Sequence, residues 1–239
     1  MQYIELTLAD PGSNLACDEA LVELFEARRA TDGLLRIWEP ESHFIVLGHS
    51  NRIDSEVDVA ACESERLSIF RRLSGGGTVM QGPGCLNYSL ILRNGVDIPL
   101  SIAESFQVVL EHHKQCIQEM IVDRVDIAGV SDLVINGRKF SGNAQYRKRR
   151  FTLVHGTFLL NLDPAIVNRC LRLPSKQPAY RQNRSHDSFM RNLHLDPNNV
   201  RKALKAAWSA SDQFTEVPNA MIDDLKKSRY GRPDWTRKF

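Results

Sequence analysis

RRLSGGGTV, residues 71–79, stands at the end of a predicted strand over residues 67–73. Its three consecutive glycines, Gly75, Gly76 and Gly77, leave backbone N–H groups free of side chains, so these groups can approach a phosphate or a carboxylate closely. Two arginines just before them add bidentate anion donors. The segment lacks the Lys-Ser/Thr pair of a P-loop and is not a GxGxxG motif. By itself it fits either an anion-binding loop or a flexible loop beside a basic edge strand.

A second informative segment is NGRKFSGNAQ, residues 136–145. Asn136-Gly137 predicts a hairpin between residues 132–135 and 138–141, because this dipeptide supplies the positive φ angles of a type I′ turn. Lys139 follows the turn, and a lysine beside an acyl phosphate would stabilise the charge of the leaving phosphate and polarise the carbonyl. The alternative is an ordinary hairpin with an exposed lysine.

The third segment, Val154-His155-Gly156-Thr157, lies on a predicted strand over residues 151–162. A lone histidine on a strand is more often a packed and hydrogen-bonded residue than a catalyst. His155 alone therefore does not identify a site.

Strands and helices alternate along the rest of the chain. Strands are predicted at residues 2–9, 34–38, 44–48 and 86–93, and helices are predicted from Ser13 or Asn14 to Arg28, over residues 57–66, from Ser101 to about Met120, and after Asp163-Pro164 and Asp196-Pro197. Because strands dominate the middle of the chain and helices interrupt them, the sequence predicts an α+β fold around a mixed sheet.

Composition excludes several classes of protein. The 239 residues are 42% hydrophobic and 25% charged, a balance that disordered and collagen-like chains do not have. The net charge of +2 argues against nucleic-acid binding, and no apolar stretch is long enough for a membrane span. The five cysteines contain no CxxC pair and the N-terminus resembles no signal peptide, so reduced thiols and a cytoplasmic location are expected.

RRLSGGGTV, GVSDLVINGRKFSGNAQ and HGTFLLN, taken in this order, resemble the lipoate–protein ligase family. That family is a branch of the biotin/lipoate ligase and octanoyltransferase superfamily. The similarity extends upstream through residues 35–38, 46–48 and Asn51, and downstream to Arg181 and residues 184–186. It predicts a catalytic domain over residues 1–195, followed by a short C-terminal helical segment and tail over residues 196–239.

The resemblance implies a mixed β-sheet flanked by helices and an ATP-dependent activity. Such an enzyme activates lipoate to lipoyl-AMP with Mg²⁺ and releases pyrophosphate. It then transfers the acyl group to a lysine of a lipoyl domain, either in an oxoacid dehydrogenase complex or in the H protein of the glycine cleavage system. No resident metal site is expected.

Site residues follow from the same resemblance. Lys139 would contact the acyl carbonyl and the phosphate as the catalytic residue. The residues that would bind substrate or adenylate are Arg71, Ser74, Gly75, Gly76, Gly77, Thr78, Asp132, Gly142, Asn143, Ala144 and His155. An apolar tunnel would hold the eight-carbon chain.

The sequence departs from the family pattern in three places. Met80-Gln81-Gly82-Pro83-Gly84 stands where ligases often carry His-Asp after the glycine triplet, and Val154 stands where some ligases have a second histidine. Larger ligases also carry a C-terminal accessory domain, which residues 196–239 are too few to form. In some relatives a separate small protein supplies this part, so an accessory protein joins the candidate partners.

Two alternatives to a ligase remain open. An octanoyltransferase, or lipoyl amidotransferase, of the same fold would act through a cysteine thioester without ATP. In such relatives the cysteine lies a little before the hairpin, where residues 125–132 here contain none. Cys85 is either a nucleophile or a small apolar residue at the start of a strand. A non-catalytic module that binds lipoate or biotin would not need Lys139, and the sequence does not distinguish lipoate from octanoate.

Two further clusters have ordinary explanations. His112, His113 and Cys116 have helical spacing for metal ligands, but without a second cluster a solvated helix face is expected. The basic run over residues 147–150 is either a solvated hairpin tip or a surface that steers an acidic acceptor domain.

Overall fold

Eleven strands form two sheets in the computed structural model, which describes residues 1–239. The strands are β1 (Gln2–Glu5), β2 (Leu34–Trp38), β3 (Phe44–Leu47), β4 (Ser68–Arg71), β5 (Val79–Gln81), β6 (Cys85–Arg93), β7 (Val125–Ala128), β8 (Asp132–Ile135), β9 (Arg138–Arg147), β10 (Phe151–Leu159) and β11 (Asp212–Gln213). The larger sheet has the order β11-β1-β2-β6-β10-β9-β8-β7, and the smaller has the order β4-β3-β5. Parallel pairs β11–β1, β1–β2 and β3–β4 occur beside antiparallel pairs, so both sheets are mixed.

Nine helices flank these sheets. They are α1 (Pro11–Arg28), α2 (Ile53–Glu56), α3 (Val59–Ser64), α4 (Ile102–Gln118), α5 (Pro164–Cys170), α6 (His186–Phe189), α7 (Pro197–Ala207), α8 (Asn219–Leu225) and α9 (Pro233–Thr236). A 3₁₀ turn spans Ala179–Arg181 and a π-helical turn spans Lys226–Tyr230. None of the helices combines the length and the apolar composition that a membrane span requires.

The two faces of the large sheet bury two different cores. Leu35 and Ile37 point to the side covered by α4 and α7, where Leu110 and Leu204 join the same cluster. Leu34 and Trp38 alternate with them and pack on the other side, among residues of α1. Strands buried on both faces read as nearly continuous apolar runs, and this explains why β2 and β6 contain so few polar residues.

The hairpin predicted from Asn136-Gly137 is confirmed. Asn136 has φ 52° and Gly137 has φ 70°, the two positive angles of a type I′ turn, and they join β8 to β9. The predicted caps Ser101, Asp163 and Asp196 are confirmed as well, since each side chain accepts a hydrogen bond from a backbone N–H of the helix that follows.

Two predicted elements differ from the structure. The cap of α1 is Asp10, not Ser13 or Asn14, because Pro11 occupies the first helical position and the Asp10 carboxylate accepts from Ser13 N at 2.9 Å. The helix predicted over residues 57–66 is shorter, α3 (Val59–Ser64), because Val57 is extended and forms a β-bridge with Leu171. The sequence did not predict the short helix α2, which ends before Val57.

The C-terminal residues 196–239 pack on the same body. Helix α7 packs on α4, β11 extends the large sheet beside β1, and α8 lies on α1. At the end of the chain, α9 lies against β4, and Trp235 Nε1 donates to the carbonyl of Arg71 at 2.9 Å.

A fully buried arginine joins α1 to β2. Arg36 donates to Asp18 Oδ1 at 2.6 Å, to Asn14 Oδ1 at 2.7 Å and to the carbonyl of Leu6 at 3.0 Å. Its side chain is 0% exposed and that of Asp18 is 8% exposed. A buried ion pair whose remaining donors are all used is costly to break, because the surviving partner keeps an uncompensated charge.

We expect Arg36→Met to destabilise the fold by about 3 kcal/mol or more, because it leaves the Asp18 carboxylate buried without its partner. Chemical denaturation monitored by circular dichroism measures the change. The matched control is Arg28→Met, which removes an exposed pair with Glu216 and should cost no more than about 1 kcal/mol. Equal effects of the two substitutions would contradict the role assigned to Arg36.

Candidate active site

Two rows of side chains cross the large sheet and form the floor of a cavity of about 310 Å³. Residues paired across neighbouring strands point to the same face, so the strand register defines each row. The first row, from β8 to β2, is Asp132, Gly142, Thr157, Asn87 and Trp38. The second row, from β9 to β6, is Ala144, His155 and Ser89, and it continues into the buried Arg36 on β2.

The glycine loop, residues 75–78, covers this floor, and its backbone N–H groups have no hydrogen-bond partner. The backbone N–H groups of Gly75, Gly76, Gly77 and Thr78 donate no hydrogen bond within the chain. Arg72 holds the loop from behind, because it donates to the carbonyl of Gly75 at 2.7 Å and to that of Gly77 at 2.9 Å. Gly76 has φ +90°, an angle that side chains disfavour. The loop is therefore held with free N–H groups, an arrangement that can bind an anion.

Three residues that the resemblance assigns to the site do not border the cavity: Arg71, Ser74 and Gly75. The Arg71 guanidinium is buried and donates to four backbone carbonyls. Three lie in the segment after β3, those of Gly48 (3.0 Å), His49 (2.9 Å) and Asn51 (2.7 Å), and the fourth is that of Thr236 in the C-terminal segment (2.7 Å). Its role is structural here. The neighbouring Arg72 is the arginine that borders the cavity.

Lys139 reaches the cavity from β9. Its Nζ lies 2.8 Å from Asp132 Oδ1, and Asp132 Oδ2 accepts from the Tyr180 hydroxyl at 2.7 Å. Burial, with the Asp132 charge beside it, raises the pKa of Tyr180 well above its ordinary value, so this hydroxyl remains a donor. A Cβ on Gly142 would lie 2.5 Å from Cε and Nζ of Lys139, so only a glycine at this position leaves room for the lysine side chain.

His155 is a neutral residue of the cavity wall. Burial lowers its pKa to about 4, with a further contribution from the positive charge of Arg72 and an opposing one from Asp18. Its Nε2 lies 2.6 Å from Ser74 Oγ, so the buried serine orients the imidazole from behind. The ring is uncharged at neutral pH and adds no cation to the site.

Asn143 and Ala144 lie beside Lys139 on β9, and both border the cavity. Asn143 Nδ2 donates to the carbonyl of Ser131 at 2.7 Å, and its Oδ1 accepts from the Tyr88 hydroxyl. This asparagine therefore joins β9 to the loop before β8. Gly76, Gly77, Thr78, Asp132, Lys139, Gly142, Asn143, Ala144 and His155 are the sequence-predicted residues that the fold brings together.

Sequence reasoning missed several cavity residues. Gln81, Asn87 and Thr157 form a closed ring, in which Gln81 Nε2 donates to Thr157 Oγ1 at 2.8 Å, Asn87 Nδ2 to Gln81 Oε1 at 3.0 Å, and Thr157 Oγ1 to Asn87 Oδ1 at 2.5 Å. Gln81 occupies the segment where the sequence departs from the family pattern. The available signal was the spacing of Asn87 and Ser89, polar residues two apart in an apolar strand.

Two apolar compartments flank the polar centre of the cavity. Leu15, Trp38 and Val46 form the wall at the β2 end. On the other side, a smaller cavity of about 110 Å³ adjoins the first at Lys139, Gly142 and Thr157, and its apolar wall is formed by Met80, Leu159, Leu162, Val167, Leu171, Phe189 and Met190. Such a site can hold a molecule with an anionic group between two largely apolar parts.

None of the five cysteines borders the cavity. All are buried, and burial raises the pKa of the Cys85 thiol to about 12. A thiol with so high a pKa is a poor nucleophile at neutral pH. Cys85 packs in an apolar cluster at the start of β6, the arrangement expected for a small apolar residue.

The cluster of His112, His113 and Cys116 has a structural role. His113 and Cys116 are buried, so the solvated face predicted for them is wrong. His113 Nε2 accepts from Trp208 Nε1 at 2.9 Å, which joins α4 to the end of α7, and no group of three or more His, Cys, Asp or Glu residues could hold a metal ion.

Most of the basic run over residues 147–150 is engaged within the chain. Lys148 pairs with Glu23 at 2.9 Å, Arg150 pairs with Glu26 at 3.5 Å, and Arg147 donates to Ser105 Oγ at 3.1 Å. Only Arg149 is exposed, so the run attaches the β9–β10 hairpin to α1 and α4 and offers little surface for steering.

Residues 10–208 match the family described as the lipoyl protein ligase A/B catalytic domain. Octanoyltransferase LipM of Halalkalibacterium halodurans is 22% identical over 98% of this chain and 97% of its own length. Lipoate-protein ligase LplJ of Bacillus subtilis is 30% identical over 95% of this chain and 70% of its own length. Relatives named for both activities are therefore similar to this chain.

Solved lipoate–protein ligases share the fold. The bipartite lipoate protein ligase of Thermoplasma acidophilum, described together with its E2 lipoyl domain, has a TM-score of 0.83 at 21% identity and covers 99% of this chain and 96% of its own. Lipoate-protein ligase A bound with ATP has a TM-score of 0.83 at 21% identity and covers 99% of both chains. These structures confirm the predicted α+β class with a mixed sheet flanked by helices.

We expect Arg71→Ala to lower the free energy of unfolding by about 3 kcal/mol, because it leaves several buried carbonyls without a donor. Thermal unfolding of the variant measures this. Arg71→Lys restores the charge but not the fork of donors, so it should recover only part of the stability. Wild-type stability in Arg71→Ala would contradict the structural role.

His155 should make stability depend on pH. Its folded-state pKa of about 4 lies below the ordinary histidine value, so unfolding takes up a proton in this range. The stability from the neutral ring is complete above about pH 6.5 and is lost as the pH falls toward 4. We expect His155→Gln to reduce the slope of unfolding free energy against pH by up to about 1.4 kcal/mol per pH unit. Denaturation series at several pH values measure it, with the exposed His112→Gln as control. An unchanged slope would mean that the pKa of His155 is the same in the folded and the unfolded protein.

Proposed function

The chain belongs to the lipoyl protein ligase A/B catalytic-domain family, and we propose that it is a lipoate–protein ligase that uses ATP and Mg²⁺. Its reaction would activate lipoate as lipoyl-AMP and transfer the acyl group to a lysine of a lipoyl domain. The observation that carries this proposal is the cavity with two apolar compartments on either side of Lys139 and the unpaired glycine-loop amides.

An acyl-adenylate, like this cavity, has a charged centre between two largely apolar parts. Its apolar acyl chain would occupy the compartment formed by Leu15, Trp38 and Val46, and its flat base would occupy the compartment that contains Phe189. The phosphate between them would lie at Lys139 and the loop amides, where cationic and N–H donors stabilise negative charge. The fit therefore accounts for the apolar walls and for the unpaired donors together.

In the first half-reaction a lipoate oxygen attacks the α-phosphorus of ATP, and pyrophosphate leaves with the bonding electrons of the anhydride. In the second, the uncharged amine of the acceptor lysine attacks the acyl carbonyl, AMP leaves with the electrons of the acyl C–O bond, and the nitrogen loses a proton to solvent. Lys139 would stabilise charge in both steps, first on the α-phosphate and then on the carbonyl oxygen and the departing AMP. Asp132 and Tyr180 position its ammonium group.

Magnesium would enter with the nucleotide. Mg²⁺ commonly binds through one or two carboxylates together with substrate phosphates and water, and it neutralises phosphate charge. Two carboxylates border the cavity and both are already paired, Asp18 with Arg36 and Asp132 with Lys139, but only Asp132 lies beside the lysine at the proposed phosphate position. Asp132 is thus the carboxylate that fits such an ion.

The cysteines favour the ligase over the octanoyltransferase. Transfer through a thioester requires a thiol at the acyl carbonyl. No cysteine borders the cavity, and Cys85 is buried in a separate cluster with a raised pKa. Activation by ATP requires no covalent intermediate on the protein, which agrees with a cavity that contains lysine, glycine amides and a neutral histidine.

Intact-mass spectrometry of a lipoyl domain tests the activity. We expect lipoylation when the domain is incubated with this protein, ATP, Mg²⁺ and lipoate, with release of pyrophosphate, and we expect Cys85→Ser to retain the activity. A parallel reaction replaces ATP and lipoate with an octanoyl carrier protein. Octanoyl transfer in that reaction, together with an octanoyl adduct on the enzyme that Cys85→Ser abolishes, would show that the protein is an octanoyltransferase and not a ligase. Lipoylation that requires an added small protein would identify an accessory partner.

We expect Lys139→Ala to reduce lipoyl transfer by about a hundredfold or more, because a preorganised charge donor to the phosphate and the carbonyl is lost. Single-turnover assays with preformed lipoyl-AMP and with ATP plus lipoate measure both half-reactions. Asp132 keeps its hydrogen bond from Tyr180, so circular dichroism should show a folded variant.

Gly142→Ala provides an independent comparison, since the added Cβ displaces the lysine without removing its charge. It should also impair both half-reactions, though less than Lys139→Ala. Wild-type rates in Lys139→Ala would remove this lysine from the chemistry.

A further inference from the structure

Two of the five buried cysteines lie side by side, on helices that are far apart in the sequence. Cys62 is on α3 and Cys170 ends α5, and 108 positions separate them. The Sγ atom of Cys62 lies 3.9 Å from the carbonyl oxygen of Cys170, and its thiol is also close enough to donate to the Cys170 sulfur. Cys17, Cys85 and Cys116 have no such thiol neighbour. The pair is therefore the place in this chain where two thiols can react with each other.

Contacts on both sides of the thiols hold the two helices together. The N–H of Asp58, which caps α3, donates to the carbonyl of Cys170 at 2.9 Å. At the surface, Arg169 Nε lies 2.7 Å from Glu65 Oε1 and links the ends of the same two helices. A disulfide forms only where two Cβ atoms face each other at short range. Because these contacts already fix α3 against α5, the bond would need only a small approach of two packed helices.

Burial determines how these thiols react. Cys62 and Cys170 both have almost no exposed surface. Burial, and then the neighbouring Cys170, raise the pKa of the Cys62 thiol to about 12. Burial also raises the pKa of Cys170, but the hydrogen bond from Cys62 opposes this shift. Since the thiolate is the nucleophile, Cys170 is the thiol that attacks an oxidant, after a local opening that admits it, and Cys62 is the thiol that resolves the product.

We propose that Cys62 and Cys170 are a site of reversible disulfide formation by peroxide, and that this disulfide ties α3 to the start of the cavity wall. The Cys170 thiolate attacks one oxygen of hydrogen peroxide, the O–O bond breaks, and Cys170 becomes a sulfenic acid. The other oxygen leaves as hydroxide and takes up the proton that the thiol lost. The Cys62 sulfur then attacks the sulfenic sulfur, the S–O bond breaks, and water leaves with the Cys62 proton. Two thiols are oxidised and one peroxide is reduced to two waters.

The disulfide would act on the wall segment, residues 171–175, which follows α5. Leu171 comes directly after Cys170 and borders the smaller cavity. The backbone N–H of Ser175 donates to the buried Glu56 carboxylate at 3.2 Å, so the other end of the segment is attached to α2. A covalent link at Cys170 would fix the first end as well. Local opening of the segment would then have to displace α3 with it.

Peptide mapping of the full chain tests the disulfide. The folded protein is treated with hydrogen peroxide, free thiols are alkylated with iodoacetamide in denaturant, and the digest is analysed by mass spectrometry without reduction. We expect one cross-linked peptide pair, which joins Cys62 to Cys170, weighs two hydrogen atoms less than its separate peptides and disappears with dithiothreitol. The same treatment of the unfolded protein is a control and should show no preference among the five cysteines.

Variants test what the disulfide does. Cys62→Ala and Cys170→Ala should lose the cross-link, and the matched Cys116→Ala should keep it. Oxidation should raise the midpoint of thermal unfolding by about 5 °C or more, because the bond closes a loop of about 100 residues in the unfolded chain. It should also slow amide hydrogen exchange in residues 171–175, and peroxide-treated Cys62→Ala should show neither effect.

Two results would overturn the proposal. Alkylation of all five cysteines in the peroxide-treated folded protein, or cross-links among other cysteines to a similar extent, would show that the pair is not a disulfide site. An unchanged midpoint together with unchanged exchange in the cross-linked protein would show that the bond does not tie α3 to the wall. Mapping of the wild-type protein needs no substitution, so it decides the first point even where a variant fails to fold.

Discussion

The register of β6 against β2 and β10 is the constraint on which the site depends. Side chains alternate between the two faces of the sheet, so Asn87 and Ser89 face the cavity while Tyr88 and Leu90 pack beneath α4. A slip of one residue would exchange these sets and place polar groups in the core. The apolar contacts on the α4 side therefore fix the polar rows on the other side. Stability and the geometry of the site are specified by the same alternation.

Arginines around the cavity act mainly as supports for backbone. Arg36, Arg71 and Arg72 are buried, and each donates to several backbone oxygens. A guanidinium has five donors in a rigid fork, which suits it to hold several carbonyls at once. Because Arg72 takes the carbonyls of the glycine loop, the N–H groups of that loop remain available. The proposed anion site would therefore need little reorganisation to bind its ligand.

Within the family, the proposed distinction between a ligase and an octanoyltransferase depends on a few groups inside one fold. Both activities deliver an acyl group to a lysine and need a compartment for the chain. They differ in how the acyl group is activated, through a phosphate or through a thiol. In this chain the groups at the centre of the cavity are Lys139, amides and a neutral His155, and the thiols are buried elsewhere.

The sequence by itself determined the local features of this protein. The Asn136-Gly137 turn, the caps Ser101 and Asp163, and the ordered glycine and lysine motifs that identify the family all depend on residues close together in the chain. Nine of the twelve predicted site residues border the cavity for the same reason, since they belong to two continuous segments and one neighbouring strand.

Tertiary structure decided what each residue does. Arg71 and Arg72 are adjacent and identical in chemistry, yet Arg71 donates to Thr236 in the distant C-terminal segment, whereas Arg72 donates to Gly77 in the glycine loop just after it. The burial of His113 depends on Trp208, and the pairing of Lys148 depends on Glu23. Trp38, Asn87 and Thr157 meet only because three strands pair in one register. Such long-range pairings leave no local pattern in the sequence, since each residue's neighbours are set by packing and not by spacing along the chain.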